Sequence, residues 1–206
     1  MDAYEYDQSR KKRSKRVLRV KSNNLILSYL HDLVFLIAVV LIVFSLFFRI
    51  IVVSGPSMKS TLVDGDWLVL LSNVFYSEPK QGDIIVISKE SYDDGTPIIK
   101  RVIATEGQTV DIDFINGTVY VDGKRLEEDY TNSPTNLYEG VDFPLTVDEG
   151  CIFVMGDNRN ESKDSRSPEI GLIDTHEILG KAIFLVIPGN DAGEAERQFD
   201  RIGVLS

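Results

Sequence analysis

The sequence is poor in the residues that many enzymes use for metal binding, redox chemistry and proton relay. It has one cysteine, Cys151, and two histidines, His31 and His176, in 206 residues. A single cysteine excludes an intrachain disulfide, and within the apolar segment CIFVM it is typical of a small buried residue. HExxH, CxxC and glycine-rich phosphate-loop motifs are also missing. These absences argue against a zinc protease, a thiol–disulfide oxidoreductase and a phosphate-loop enzyme.

Histidine is too scarce to favour the common form of serine catalysis. His31 lies in or beside the long apolar segment, so a Ser-His-Asp triad would depend on His176, in the ordinary segment GLIDTHEIL. Carboxylates in Asp157–Asp164 could approach a metal, but Arg159 occupies the third position of an EF-hand loop and breaks its spacing. We therefore expect no metal or other cofactor.

The net charge of −10 is distributed unevenly along the chain. Residues 1–21 carry eight Lys or Arg and three Asp or Glu, a balance of +5, which leaves −15 for the remainder. So acidic a domain argues against nucleic-acid binding. A basic segment ahead of the apolar run predicts a cytoplasmic N-terminus and an extracytoplasmic main domain.

The chain has one long apolar run. Leu33–Phe48 is uncharged and Ile50–Val53 continues it past Arg49, which gives 21 residues and about 31 Å of helix, enough for a bilayer core of about 30 Å. We predict a cytoplasmic head at 1–24 and a transmembrane helix at 25–53, and expect contact with the lipid bilayer. A cleaved signal peptide is the alternative, but the polar region before the run is over thirty residues long and VVSG fits a cleavage site poorly.

The segment SGPSMKSTL, Ser54–Leu62, follows this run directly. Ser57 is four residues after Val53, and an extended chain covers about 3.3–3.6 Å per residue. The sequence therefore places Ser57 within roughly 15 Å of the membrane surface.

The remainder of the chain is typical of a mainly β domain, which we place at 54–188, with a peripheral tail at 189–206. Asn116–Gly117 predicts a two-residue hairpin turn into Thr118–Val121. A short helix is expected within Ile170–Leu179. The other predicted strands share short β-branched or aromatic runs bounded by turn residues; they are Asp66–Leu71, Asp83–Ser88, Ile98–Ala104, Thr109–Ile115, Cys151–Met155 and Lys181–Ile187.

Lys100 could activate a serine in place of histidine. A lysine titrates near 10.4 in water, so it must be desolvated before it can accept a proton at neutral pH. In a strand, Ile98 and Val102 would flank Lys100 on its own face. Burial there would favour the neutral amine and a Ser57–Lys100 dyad. A lysine on an exposed strand face remains the alternative.

A polar segment, GDNRNESKDSR at 156–166, directly follows the apolar strand CIFVM. One interpretation is a solvated turn. The other is a polar wall that orients the dyad through Ser162 and Asp164–Arg166.

Three segments, SGPSMKSTL, IIKRVIATEGQ and MGDNRNESKDSR, together resemble the nucleophile, lysine and GDN boxes of type I signal peptidases. The basic head and single span resemble the short Gram-positive form. The resemblance implies a β-rich catalytic domain, like that of signal peptidases and repressor proteases, with a second β region inserted at about 110–149.

The resemblance also implies roles for nine residues. Ser57 would be the nucleophile and Lys100 its base, and Met58 would line the substrate groove. Ser162 would bond the lysine amine, Asp164 and Arg166 would brace the wall, and Asp157 and Asn158 would stabilise the loop. The Ser57 N–H, with the Gly55 region, would serve the oxyanion.

The sequence departs from the family pattern at two places. Ser60 replaces the usual proline, and Ala104–Gln108 reads ATEGQ where Gly-x-Pro-Gly-Asp is common. Neither change touches a reacting atom, so both bear on loop geometry and substrate preference.

The function implied by the resemblance is removal of signal peptides, with small residues at −1 and −3, from exported preproteins at the outer face of a bacterial cell membrane. Two alternatives stay open: a self-processing serine–lysine protease of the repressor type, and a non-catalytic β module displayed on the membrane. The anchor and the lack of a DNA-binding module count against the former.

Overall fold

A computed structural model describes residues 3–190 and 197–205 of the chain. Its N-terminal unit is a helix, α1, Ala3–Phe47. Within α1 the segment Leu25–Phe47 is 23 residues long, has a mean hydropathy of 2.6 and buries none of its side chains in the protein. By length and composition, it is sufficient to cross a membrane.

The helix is shorter at its C-terminal end than the predicted span of 25–53. Phe48–Val52 is a strand, β1, which pairs antiparallel with Trp67–Ser72, β2, from Phe48 opposite Leu71 to Val52 opposite Trp67. The run FRIIV contains β-branched residues that favour a strand once a partner strand is available. Because Ser57 is the tenth residue after the helix end at Phe47, the expected short distance to the membrane surface no longer follows.

The second unit begins at Phe47 and is built from strands in two sheets. The confirmed fold class is mainly β with one N-terminal apolar helix. Strands β3 to β12 are Ile84–Ile87, Ile98–Thr105, Thr109–Asp113, Thr118–Val121, Lys124–Arg125, Leu145–Thr146, Cys151–Met155, Ile173–Asp174, Ile178–Ile187 and Gly203–Val204. Short 3-10 turns lie at Asp93–Gly95, Thr175–Glu177 and Phe199–Arg201.

The larger sheet has the order β1-β2-β11-β3-β4-β9-β10, with β12 paired to β11. Strand β4, which carries Lys100, lies between β3 and β9, and all six of its interior residues are buried. One core cluster includes Ile99 and Ile84, and another includes Val102 and Ile85. Because both faces of β4 are covered, a polar side chain on this strand is removed from water whichever way it points.

The smaller sheet has the order β7-β6-β5-β8. Its strands run from Thr109 to Thr146, between β4 and β9 of the larger sheet. This is the inserted second β region that the resemblance implied.

The turn between β5 and β6 differs from the predicted two-residue hairpin. Asp113 pairs with Thr118, so four residues, Phe114–Gly117, form the loop. The Asp113 carboxylate accepts hydrogen bonds from the N–H groups of Ile115 and Asn116 and from the Asn116 amide, at 3.0, 3.1 and 2.6 Å. An aspartate that closes the turn in this way stabilises a longer loop than the Asn-Gly pair alone would predict.

The segment Ile170–Leu179, where the sequence predicts a short helix, contains a 3-10 helix of only three residues, Thr175–Glu177. This segment forms β10, the turn Thr175–Glu177 and the beginning of β11. The Asp174 and Glu177 side chains cap the turn reciprocally, and Ile173 and Ile178 enter a core cluster. Pairing with β9 and burial of these isoleucines therefore override the local helix signal.

The described part of the C-terminal tail is attached to the domain and is not peripheral. In β12, Gly203 and Val204 pair with Leu185 and Phe184 of β11, and Leu205 packs against a core cluster. Arg201 forms an ion pair with the fully buried Asp66. A buried carboxylate requires such a partner, and here the tail supplies it.

Candidate active site

Ser57 lies in a loop, residues 53–66, that begins and ends on the larger sheet. We call it the nucleophile loop, after the role that the resemblance implies for Ser57. Val53 N–H donates to Asp66 O over 2.8 Å and Gly65 N–H donates to Val53 O over 2.9 Å, which closes the loop at its base. Met58 is 1 % exposed, packs in the core and begins a helical turn in which Leu62 N–H donates to Met58 O. The buried Met58 side chain fixes the position of the half-buried Ser57 beside it.

Lys100 meets Ser57 across 43 residues of sequence. Its side chain is 3 % exposed and its Nζ lies 2.8 Å from Ser57 Oγ. Burial lowers the pKa of Lys100 from 10.5 to about 8, although the negative charges of Asp164 and Glu139 oppose this shift. Lys100 is therefore buried, as proposed from its neighbours, and the exposed alternative does not describe it.

The Ser57–Lys100 pair lines a cavity of about 340 Å³. Its walls are mainly apolar and come from β1, the nucleophile loop, β3 and β4; they include Ile51, Val53, Met58, Val86, Ile98 and Ile99. Met58 is thus one of the residues that line this cavity. An extended chain placed here would have its side chains in contact with apolar surface next to the serine hydroxyl.

Asp164 and Arg166 form a polar wall near Lys100. Both are fully buried, and the Arg166 Nε and Nη2 donate to the two Asp164 oxygens, each over 2.8 Å. Asp164 also accepts a hydrogen bond from Gly156 N–H at 2.9 Å. Burial opposes the protonated form of Arg166, but the hydrogen bond and charge of Asp164 outweigh it and raise the pKa of Arg166, so the guanidinium keeps its charge.

Ser162 differs in its contact from the one implied by the resemblance. Its hydroxyl donates to Asp164 Oδ2 over 2.9 Å, whereas Lys100 Nζ donates to Ser57. A Cβ on Gly156 would lie 2.2 Å from Ser162 Oγ and 2.4 Å from Ser57 O. Gly156 therefore permits the close approach of Ser162 to the nucleophile loop.

Asp157 and Asn158 stabilise the nucleophile loop directly. Asn158 N–H donates to Ser57 O over 3.0 Å, and its amide donates to Pro56 O over 3.1 Å. Asp157 accepts a hydrogen bond from the Thr61 hydroxyl over 2.5 Å. The GDN segment thus holds the loop on both sides of Ser57.

Arg101 is a site residue that the sequence analysis did not single out. It is 2 % exposed, and its Nε and Nη2 donate to the two oxygens of Asp157, each over 2.9 Å. Its guanidinium lies 4.0 Å from the centre of the Tyr130 ring, in the inserted region. The sequence signal that could have identified Arg101 is its position directly after Lys100 in a strand of the core.

Glu139 is a second such residue. Burial and the nearby charge of Asp164 raise the pKa of Glu139 to about 7. Its Oε1 lies 3.0 Å from Arg166 Nη2. It stands in a polar loop, where no sequence pattern distinguishes it from an exposed glutamate.

The Ser57 N–H and the Gly55 region, the two groups expected to stabilise an oxyanion, differ in their hydrogen bonds. Gly55 N–H already donates to the Asp64 carboxylate over 2.9 Å. Among the described residues, none accepts a hydrogen bond from the Ser57 N–H. This leaves the Ser57 N–H as the donor that can meet a developing oxyanion.

His176 lies outside the site. Its side chain is 93 % exposed and its ring bonds to Asp174 within the 3-10 turn. A triad built on His176 therefore has no support in the geometry. Within 3–190 and 197–205, no three His, Cys, Asp or Glu side chains converge as metal ligands would.

The chain is similar to known proteins. The family model described as "Signal peptidase, peptidase S26" matches residues 26–187. The chain is 39 % identical over 150 residues to the probable signal peptidase I-1 of a Synechocystis species, covering 69 % of this chain and 72 % of the relative. It is 34 % identical over 176 residues to signal peptidase I of Bacillus licheniformis, covering 82 % and 92 %. A crystal structure of a signal peptidase I from Enterococcus faecalis is 34 % identical, with a TM-score of 0.41 over 50 % of this chain and 96 % of that one. The resemblance inferred from the three boxes is confirmed, and the chain belongs to the signal peptidase family, peptidase S26.

Proposed function

We propose that the chain is a membrane-anchored serine endopeptidase that removes signal peptides from exported preproteins through a Ser57–Lys100 dyad. The observation that carries this proposal is the 2.8 Å contact between Ser57 Oγ and a lysine that is 3 % exposed. Burial makes the neutral amine accessible, and in that state Lys100 can accept the hydroxyl proton of Ser57.

The reaction follows as two acyl transfers. Ser57 Oγ attacks the peptide carbonyl while Lys100 takes its proton, and the Ser57 N–H stabilises the oxyanion. The Lys100 ammonium then protonates the leaving amine, which leaves an acyl-enzyme on Ser57. A water molecule gives its proton to Lys100 and attacks the ester carbonyl. The Lys100 ammonium then returns that proton to Ser57 Oγ as the ester bond breaks, which releases the second product and restores the free serine.

The substrate is proposed to lie extended in the cavity beside Ser57. Its walls are partly apolar, which suits the apolar side chains of an extended substrate, and the resemblance implies small residues at −1 and −3 of the cut. The two relatives above are named as signal peptidase I, which supports this class of substrate.

Leu25–Phe47 is proposed as the anchor in a bacterial cell membrane, with the basic head in the cytoplasm and the peptidase domain outside. Protease added to intact cells should degrade the domain after Phe47 and leave the head protected. The opposite pattern would refute the orientation and the substrate assignment together.

Cleavage of a purified preprotein by Ser57→Ala tests the nucleophile. This variant should fold and enter membranes normally, fail to react with a serine-directed acyl probe and retain less than about 1 % of wild-type cleavage. Ser91→Ala, at an exposed serine outside the site, is the matched control and should be fully active. Greater residual cleavage by Ser57→Ala would mean that another group is the nucleophile.

A further inference from the structure

The described end of the chain returns to the base of the nucleophile loop. We call residues 197–205 the C-terminal strap. Arg201 of the strap donates to both oxygens of Asp66, through Nη1 over 3.0 Å and Nη2 over 2.6 Å. Nη2 also lies 3.2 Å from the backbone oxygen of Thr61, four residues after Ser57. One guanidinium therefore contacts two points of the loop that carries the nucleophile.

Asp66 connects three segments of the chain. It is fully buried and accepts hydrogen bonds from Val63 N–H over 2.8 Å and from Gly189 N–H over 2.6 Å, in addition to those from Arg201. Arg201 is the cation that forms an ion pair with it within the described part of the chain. Since a buried carboxylate without a cation is costly, the position of Arg201 and that of the loop base are coupled.

Thr61 is held from two directions. Its backbone oxygen meets Arg201, and its hydroxyl donates to Asp157, on the opposite side of the site. Thr61 and Leu62 both donate their N–H groups to Met58 O, over 3.0 and 2.8 Å, which forms the turn next to Ser57. Lys100 belongs to β4, a separate element, so a shift of this turn changes the distance between nucleophile and base.

The chain leading to the strap also passes very close to the loop. A Cβ on Gly189 would lie 2.1 Å from Asp64 O and 2.7 Å from Asp66 N. The strap itself is secured by β12 pairing and by Leu205 in the core. The family match ends at residue 187, so the contacts of Gly189 and Arg201 come from outside the matched region.

We propose that Arg201 is a positioning residue for the reaction, and that the C-terminal strap holds the Ser57 turn in register with Lys100 through Asp66 and Thr61. The functional part of this inference rests on the proposed dyad. The role assigned to Arg201 is to fix geometry, because it touches neither Ser57 nor Lys100. A displacement of about 1 Å between reacting groups can cost on the order of 100-fold in rate.

The test is Arg201→Lys in the full-length protein. Lysine keeps a cation for Asp66, but its single amine cannot reproduce the planar fork that reaches both carboxylate oxygens and Thr61 O. Arg197→Lys, at an exposed arginine in the same segment, is the matched control. We expect Arg201→Lys to lower kcat roughly 10- to 100-fold with KM unchanged, and to leave the midpoint of the pH–rate profile in place. Arg197→Lys should match wild type.

A second readout does not depend on catalysis. Amide hydrogen exchange of residues 58–66 should be faster in Arg201→Lys than in wild type and Arg197→Lys, while exchange in β4 stays the same. Unchanged exchange in this loop, or faster exchange with unchanged kcat, would overturn the positioning role.

If Arg201→Lys does not fold, Arg201→Gln is measured in the same way. Failure of both variants to fold would assign Arg201 a purely structural role. A wild-type protein that neither cleaves nor labels at Ser57 would instead refute the dyad, and hydrogen exchange would still report on the strap.

Discussion

Ser162 donates its hydroxyl hydrogen to the Asp164 carboxylate over 2.9 Å, and that carboxylate is the one that Arg166 holds with two hydrogen bonds. Ser162 is therefore linked to Lys100 through the charge of Asp164 in the polar wall. Asp164 is the strongest of the charges that favour the protonated lysine. Ser162 helps to fix that charge in place.

Ser162→Ala should reduce activity without abolishing it. The substitution removes one hydrogen bond from Asp164 and keeps the ion pair with Arg166. We expect a loss of roughly 10- to 1000-fold in kcat/KM, about 1.4–4 kcal/mol. Steady-state cleavage of a preprotein measures it. Activity equal to that of wild type would show that Ser162 has no role in orienting the site.

Activity should rise with pH as Lys100 loses its proton. The pKa of Lys100 is lowered to about 8, so the protonated, inactive form dominates below this pH and the neutral base above it. The predicted kcat/KM rises with a midpoint at about pH 8 and levels off at higher pH. Lys100→Arg should be inactive at every pH, because a guanidinium stays protonated. A profile that is flat across this range, or an active Lys100→Arg, would place the base elsewhere.

Glu139→Gln should move that profile to lower pH. An ionised Glu139 favours the protonated form of Lys100 and so raises its pKa, as do Asp164 and Asp157, whereas Arg166 lowers it. Removing one negative charge therefore lets Lys100 lose its proton at lower pH. Glu149→Gln, at an exposed glutamate, is the control. An unchanged midpoint, or one shifted to higher pH, would contradict the electrostatic link.

Asp157→Ala should destabilise the whole domain. It leaves Arg101, 2 % exposed, as a buried cation without its carboxylate partner, for which we expect a loss of about 3–5 kcal/mol in the free energy of unfolding. Urea unfolding of the purified protein measures the change. Glu169→Ala, which removes the partner of Lys163 in an exposed ion pair, should leave the midpoint within error of wild type. Equal effects of the two substitutions would show that burial of the pair does not govern its contribution.

Ser60→Pro should disrupt the turn next to Ser57, although proline is what the family pattern described above would have at this position. Ser60 has φ of 98°, which proline cannot adopt, and its hydroxyl donates to Tyr130 O over 2.7 Å. Ser60→Gly keeps the backbone conformation accessible and loses only that hydrogen bond, so it should retain most activity. Preprotein cleavage by the two variants separates the effects. An active, stable Ser60→Pro would mean that the turn has the conformation usual in the family.

The central candidate residues could be identified from the sequence because they lie in three short segments, and the roles assigned to them stay predictions. Ser57, Lys100, Ser162 and Asp164 each stand in a segment whose residue types resemble a known box, and the structure brings them together. The strands around them were also predictable, since each is a short β-branched run bounded by turn residues.

The missed features depend on partners that are distant in sequence. FRIIV satisfies the pattern of a membrane helix, and only pairing with β2 makes it a strand. Asp66 and Arg201 are 135 residues apart, and neither stands in a recognisable motif. Glu139 becomes a buried group only because its loop packs against Arg166.

The order of the strands has a consequence for how far this architecture can vary. Strands β4 and β9 are hydrogen-bonded neighbours, yet the whole smaller sheet lies between them in sequence. The inserted region therefore begins and ends close to one point of the larger sheet. Its length has little effect on the distance between Lys100 and the GDN segment. An engineered protein could carry a larger or smaller inserted region here. It would still need an aromatic ring against Arg101 and a backbone oxygen that accepts the Ser60 hydrogen bond, both of which Tyr130 supplies.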